Sequence, residues 1–187
     1  MLDCIFNPIT LPPYHSVKHL EGTGNFAVDK YYKWPFRPFY RKKLYMMRDM
    51  LDKDRIYTTI MDFGSGAKIF VPELKKHANQ VKCFDKDTQM VSFWRFKCIT
   101  AGSVFEFIED LEVIVRRLWT VSPVNGQLIV ASPLDTLLSS LYLRHIKGYR
   151  TFNSKEKILT TVDKYFKVVK YREWMGLYFC FKAVRRD

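Results

Sequence analysis

The chain has 187 residues, 48% of them apolar, with 31 Lys plus Arg against 19 Asp plus Glu, a formal net charge of +12. That length and apolar content suffice for a buried core and predict one globular unit rather than a disordered chain. No apolar run reaches the roughly 18 residues that suggest a membrane span, and the opening MLDCIFNPIT lacks a basic segment followed by an apolar stretch, so neither a span nor a leader is expected. Cys4, Cys83, Cys98 and Cys180 show no CxxC or metal-ligand spacing. Three of them lie in apolar, strand-like segments, where a reduced buried thiol is the ordinary state, so the expected compartment is reducing and cytoplasmic, with no metal.

Residues 1–29 read as irregular, with Pro8, Pro12, Pro13, Gly22 and Gly24 as turn formers. Between Lys30 and Arg48 stand seven basic residues, seven aromatics and no acid. Arg37–Met50 has the spacing of an amphipathic helix, with Phe36, Phe39, Tyr40, Leu44, Met47 and Leu51 on one face. Interleaved cations and rings suit an anionic partner, by phosphate contact and stacking. The plainer alternative is that the rings pack the helix onto a sheet while the cations form its wet face. Residues 1–56 are thus set apart from a sheet-forming part, 57–187.

Tyr57–Asp87, YTTIMDFGSGAKIFVPELKKHANQVKCFDKD, is the most informative stretch. Thr58–Asp62 is an apolar strand ending in a carboxylate. Gly64-Ser65-Gly66 allows a sharp turn and a close backbone approach to a ligand. Ile69–Ala78 has helical spacing with Pro72 in its first turn, and Val81–Phe84 is a second short strand closed by Asp85. Strand, glycine turn, helix and an acid about 20 residues on form the nucleoside-binding pattern of doubly wound sheets, in which the acid holds a ribose diol. The third glycine usual for NAD is absent, and Lys68 stands in the loop. On this reading a helix N-terminus offers amides to an anionic group of the ligand.

Further along, Lys97–Thr100 reads as a strand, Asp110 as the cap of a helix over Leu111–Thr120 buried through Leu111, Ile114, Leu118 and Trp119, and Pro123–Gly126 as a turn. Leu128–Ala131 is apolar throughout, as in a parallel strand covered on both faces. Ser154 opens a helix over Lys155–Tyr165, and Tyr178–Val184 is a closing strand.

Several of these pieces, taken in order, resemble the class I S-adenosylmethionine (SAM) dependent methyltransferases. MDFGSGAKIF is similar to the family's first motif, with Lys68 in place of its last glycine, and VKCFDKD to the second strand with its ribose acid. SVFEFIEDLEVIVRRLWTVSPVNGQLIVASP resembles the region from the fourth strand's end to the fifth strand, and KVVKYREWMGLYFCFKAV the paired sixth and seventh strands. The resemblance covers residues 57–184 and implies an α/β fold, a Rossmann-like three-layer sandwich with a mostly parallel sheet and a C-terminal antiparallel strand pair. Only eleven residues separate Asp85 from Lys97, too few for the family's third strand and its helices, so the second strand should lie at the sheet edge, where a dimer could form.

The resemblance further implies SAM as cofactor, bound through Asp62, Gly64, Ser65, Gly66, Asp85, Ala101 and Gly102. Tyr31, Tyr32 and Trp34, before the first strand, fall where the family builds a lid over its substrate. Should the acceptor have to lose a proton, the candidate catalytic residues are Glu106, Asp135 and His145. Glu106 matches the glutamate of an LEH signature whose histidine is replaced by Phe107. The expected function is methyl transfer to a small, anionic acceptor, with RNA less favoured. A degenerate SAM fold that binds a partner or nucleic acid without catalysis is the alternative. An NAD oxidoreductase fits the closing strand pair less well, and the adenine-methylase NPPY signature is absent, AGSVFEF standing in its place.

Overall fold

Four parallel strands and an antiparallel pair form the sheet: β1 (Tyr57–Phe63), β2 (Ala78–Phe84), β3 (Cys98–Gly102), β4 (Gln127–Pro133), β5 (Phe166–Trp174) and β6 (Tyr178–Arg185), in the order β2-β1-β3-β4-β6-β5. The computed structural model describes residues 8–20, 28–85, 94–137, 139 and 151–187. β2, β1, β3 and β4 run parallel, and β6 is antiparallel to both β4 and β5. β2 ends the described order, as its short connection to β3 requires, and residues 94–97 approach β3 without forming a strand.

Alternation along the strands sends side chains to two helical layers. In β4, Leu128 and Val130 face one layer, Ile129 and Ala131 the other; in β6, Phe179, Phe181 and Ala183 oppose Tyr178 and Cys180 in the same way. One face is covered by the N-terminal segment, including a short helix α1 (Tyr14–Val17), by α2 (Arg37–Arg48), and by α3 (Val71–Leu74). The other carries α4 (Leu111–Val121) and α5 (Lys155–Asp163). The result is the three-layer α/β sandwich expected from the sequence.

Local signals explain where the helices start. Asp110 accepts a hydrogen bond from the Val113 amide and Ser154 one from the Lys157 amide, each satisfying a donor in a first turn. α4 buries Leu111, Val115, Leu118 and Val121, whereas Ile114 and Trp119 pack only partly, so its buried stripe is rotated slightly from the expected one. α2 ends at Arg48, two residues early, and buries Tyr40, Leu44 and Met47 as anticipated. The helix expected over Ile69–Ala78 is reduced to Val71–Leu74. The cause is at both ends: Lys68 holds a left-handed backbone (φ 56°) that bars an earlier start, and Ala78 is already paired with Tyr57 in the sheet.

The N-terminal segment is tied to the sheet-forming part by a buried carboxylate. Glu73 of α3 accepts from the Thr10 amide (2.8 Å), and its oxygens lie 3.0 Å from Lys76 Nζ and 3.9 Å from Arg48 Nη1. At the amino ends of β1 and β4, the Tyr57 hydroxyl donates to Gln127 Oε1 (2.8 Å) while Gln127 Nε2 donates to Asp52 Oδ2 (2.7 Å), and Lys182 hydrogen-bonds the other Asp52 oxygen. Tyr57→Phe would leave the Gln127 oxygen buried and unmet. It should lower the unfolding free energy by about 1–3 kcal/mol in a denaturant titration.

Candidate functional site

In an open parallel sheet, ligands bind beyond the carboxyl ends of the strands where the winding direction reverses. Here the chain leaves β1 towards β2 on one side and later builds β3 and β4 on the other, so the reversal falls between β1 and β3. Asp62, Gly64, Ser65 and Gly66 stand at the end of β1, Asp85 follows β2, and Ala101 and Gly102 end β3. The seven cofactor-side candidates are therefore neighbours across three adjacent strands. In register, Asp62 lies between Cys83 on β2 and Thr100 on β3.

The glycine loop is held from below. The Gly64 and Ser65 amides both donate to Phe84 O, at 2.7 and 3.2 Å, which fastens the loop to the end of β2 next to Asp85. Gly64 has φ 70°, and a Cβ there would lie 2.5 Å from that of Val104, so only glycine fits on both counts. Gly66 (φ 42°) and Lys68 (φ 56°) also take left-handed backbone. Lys68 thus holds a backbone conformation that glycine adopts most readily. The anticipated helix N-terminus does not materialise as an anion site: α3 has four residues, too few for a useful dipole, and two loop amides are already engaged. Asp85 is exposed at the loop's rim, whereas Ala101 is fully buried and presents only backbone.

Asp62 is buried, and its Oδ1 accepts from Thr100 Oγ1 at 2.8 Å. Burial pushes its carboxyl up to about 7, against the lowering effect of that hydrogen bond. A second buried carboxyl lies past the end of β3. Glu106 sits in a single 3-10 turn, Phe105–Phe107, and accepts from Ser132 Oγ of β4 at 2.5 Å. Its other oxygen, Oε1, has no hydrogen-bond partner among the described residues. Burial raises this group to about 7 as well, opposed first by the Ser132 hydroxyl. The turn is clamped from the segment before α5: Asn153 Nδ2 donates to Phe105 O and Ile108 O, and the Phe152 amide to Glu106 O.

Beside Glu106 the structure places a residue that was not among the sequence candidates, Lys43 of α2. Helix α2 comes close enough to β3 that a Cβ on Gly102 would meet Met47 Sδ at 3.1 Å. One turn earlier, the buried Lys43 donates to Ser103 Oγ at 2.7 Å, with its Nζ 5.6 Å from the Tyr31 ring and 6.0 Å from the Tyr178 ring. The sequence held a signal for it: Lys43 falls between Tyr40, Leu44 and Met47 on the apolar stripe, where a cation has to be satisfied from within.

The remaining candidates are dispersed. Tyr31 joins the Lys43 cluster. Tyr32 lies with its ring against Tyr14, and its hydroxyl donates to Pro12 O at 2.7 Å; burial raises its pKa. Trp34 is 80% exposed, and Asp135 is exposed two residues beyond β4. His145 lies outside the described residues. The basic segment mostly follows its plainer reading: Arg41 Nε donates to Tyr31 O, and the Arg48 guanidinium stacks over Tyr45. Among the described residues there is no cluster able to hold a metal ion, and no helix long and apolar enough to cross a membrane.

The fold is one shared with SAM-dependent methyltransferases of known structure. No known protein-family model matches the chain, and no curated protein does. Solved structures do match. N-methyltransferase NodS from Bradyrhizobium japonicum, in complex with S-adenosyl-L-homocysteine, superposes with a TM-score of 0.67 at 14% identity, over 93% of this chain and 98% of that one. Geranyl diphosphate C-methyltransferase from Streptomyces coelicolor, solved with magnesium, geranyl-S-thiolodiphosphate and S-adenosyl-L-homocysteine, gives 0.61 at 9% identity over 82% and 78%. A SAM-dependent methyltransferase from Mesorhizobium loti gives 0.60 at 11% identity over 74% and 95%.

The two buried carboxyls make a pH prediction. Both have folded-state pKa values raised above their ordinary ones, so between about pH 4 and 7 the folded chain binds more protons than the unfolded chain. Their contribution to stability is therefore lost as pH rises through that window. Asp62→Asn and Glu106→Gln should each flatten the decline relative to the native chain, by up to about 1.4 kcal/mol per pH unit in denaturant titrations across the range.

Proposed function

We propose that this protein is a SAM-dependent methyltransferase acting on a small-molecule acceptor that carries a negative group. The observation that carries the reading is the placement of Asp62, the Gly64–Gly66 loop and Asp85 side by side at the reversal point of the sheet. In the fit to SAM, Asp85 would hold the ribose diol and the loop backbone would border the nucleoside, with Ala101 and Gly102 beneath it. The fastening of the loop to Phe84 O and the exposure of Asp85 agree with that division. SAM supplies a sulfonium methyl group open to in-line displacement, for which positioning of the acceptor is the main requirement.

The acceptor side is built by α2 and the turn after β3. Glu106 offers a carboxylate with one oxygen unengaged among the described residues, suited to receive a proton from the acceptor, and Lys43 offers a buried positive charge. Asp135 and His145 stay as further candidates. The charge excess of the chain and Lys43 both favour an anionic group on the acceptor. The second reading, a SAM fold that binds a partner or nucleic acid without catalysis, is favoured by the one-turn α3, the engaged loop amides and Lys68 at the family's glycine position.

Calorimetric titration with S-adenosylhomocysteine separates the two. Micromolar binding is expected, weakened roughly ten- to hundredfold by Asp85→Ala through loss of a hydrogen bond to a charged group. No heat and no change in melting temperature at saturating ligand would remove the enzyme reading. In a companion assay, Arg41→Glu together with Lys42→Glu should leave that affinity almost unchanged, because neither residue belongs to the cofactor loop. It should lower affinity for an anionic acceptor and make that affinity less dependent on salt.

A further inference from the structure

Buried charge at the acceptor end of the sheet is incompletely answered by the protein. Lys43 is 4% exposed, and an ammonium has three donors. One goes to Ser103 Oγ, the rings of Tyr31 and Tyr178 stand 5.6 and 6.0 Å away, and among the described residues no carboxylate lies within ion-pair distance. The Lys43 charge acts on Glu106, with Ser103 between them, but the two form no direct ion pair, and ammonium donors left unmet in so buried a place are unfavourable unless a ligand meets them. Glu106, 2% exposed, presents the complementary case. Ser132 engages Oε2, while Oε1 is buried and has no hydrogen-bond partner among the described residues. The two residues come from distant parts of the chain, yet each is anchored by a hydroxyl at the carboxyl end of a strand, Ser103 after β3 and Ser132 in β4.

We propose that Lys43 and Glu106 together form the recognition site for a small zwitterionic amine, an amino acid in the broad sense. The inference rests on the methyltransferase reading above. The acceptor's carboxylate pairs with the Lys43 ammonium, and its nitrogen lies against Glu106 Oε1. Glu106 Oε1 first takes one proton from the acceptor's ammonium, and the resulting neutral amine provides the electron pair for the new carbon–nitrogen bond. The bond between sulfur and the transferred methyl carbon breaks with its electrons remaining on sulfur. The nitrogen keeps its remaining protons, so the products are the N-methylated ammonium, S-adenosylhomocysteine and a protonated Glu106. Glu106 is in this sense a catalytic residue, and Lys43 a binding residue that selects for the acid function.

The test uses the full chain saturated with S-adenosylhomocysteine, titrated calorimetrically with glycine, β-alanine and L-phenylalanine. Phenethylamine and 3-phenylpropionate, which each lack one charge of phenylalanine, serve as matched controls. At least one zwitterion should bind, and where that is phenylalanine it should bind tenfold or more tightly than either control. Lys43→Met should weaken zwitterion binding at least tenfold while leaving phenethylamine unchanged, and Lys43→Arg should restore most of the loss. Glu106→Gln should weaken zwitterion and amine but spare 3-phenylpropionate. The proposal is overturned if S-adenosylhomocysteine binds and no zwitterion does, or if the preference for the zwitterion survives in Lys43→Met. A Lys43→Met chain that melts lower with its ligand preference intact would assign Lys43 a purely structural part and would equally overturn it. Failure of S-adenosylhomocysteine itself to bind would remove the underlying reading along with the inference.

Discussion

Parallel pairing of β1 with β2 on one side and β3 on the other places three chain reversals at one edge of the sheet. Parallel strands cannot be joined by tight hairpins, so each connection must cross a face and return, and the loops at the carboxyl ends become neighbours without being neighbours in sequence. Everything else at the site follows from that constraint. Asp62 meets Thr100 because the two are register partners, and the glycine loop meets Asp85 because Phe84 O receives its amides. The sheet also sets the interior apart from solvent, which is why a carboxyl in the middle of it titrates several units from its ordinary place.

The site consequently has two electrostatic halves. On the proposed reading, the cofactor half is formed by backbone and carboxylates at the ends of β1 and β2. The acceptor half would be formed by α2, the turn of Phe105–Phe107 and the end of β4, which hold a cation and a carboxyl within one buried cluster. Hydroxyls of Ser103, Ser132 and Thr100 moderate all three charges. Serine and threonine suit this work, being small enough to remain in a strand or its end while providing a rotatable donor.

Much of the fold was legible because parallel strands buried on both faces announce themselves as short apolar runs. Leu128–Ala131 and Tyr178–Val184 were each found within a few residues, and Asp110 and Ser154 marked helix starts by the chemistry of their side chains. The position of β2 at the end of the described strand order followed from chain length alone. The crossover between β1 and β2 was less readable. Helical spacing over Ile69–Ala78 suggested a full helix, but left-handed backbone at Lys68 and early pairing of Ala78 left room for one turn. The same limits apply to the site. Asp62, Gly64–Gly66 and Asp85 lie close to one another in sequence and could be read as one motif. Ser132 meets Glu106, and Tyr178 meets Lys43, only through tertiary packing, and no local pattern links them.

The close approach of α2 to Gly102 has a consequence for how such a protein can change over time. Lys43 is contributed by a helix that precedes the first strand, while the glycine loop and Glu106 lie in the stretch that follows it. On the proposed reading, the charge that selects the acceptor is thus encoded apart from the nucleoside loop, on the leading piece of the gene. A single replacement on the inward stripe of that helix would then change the acceptor while the loop is inherited intact.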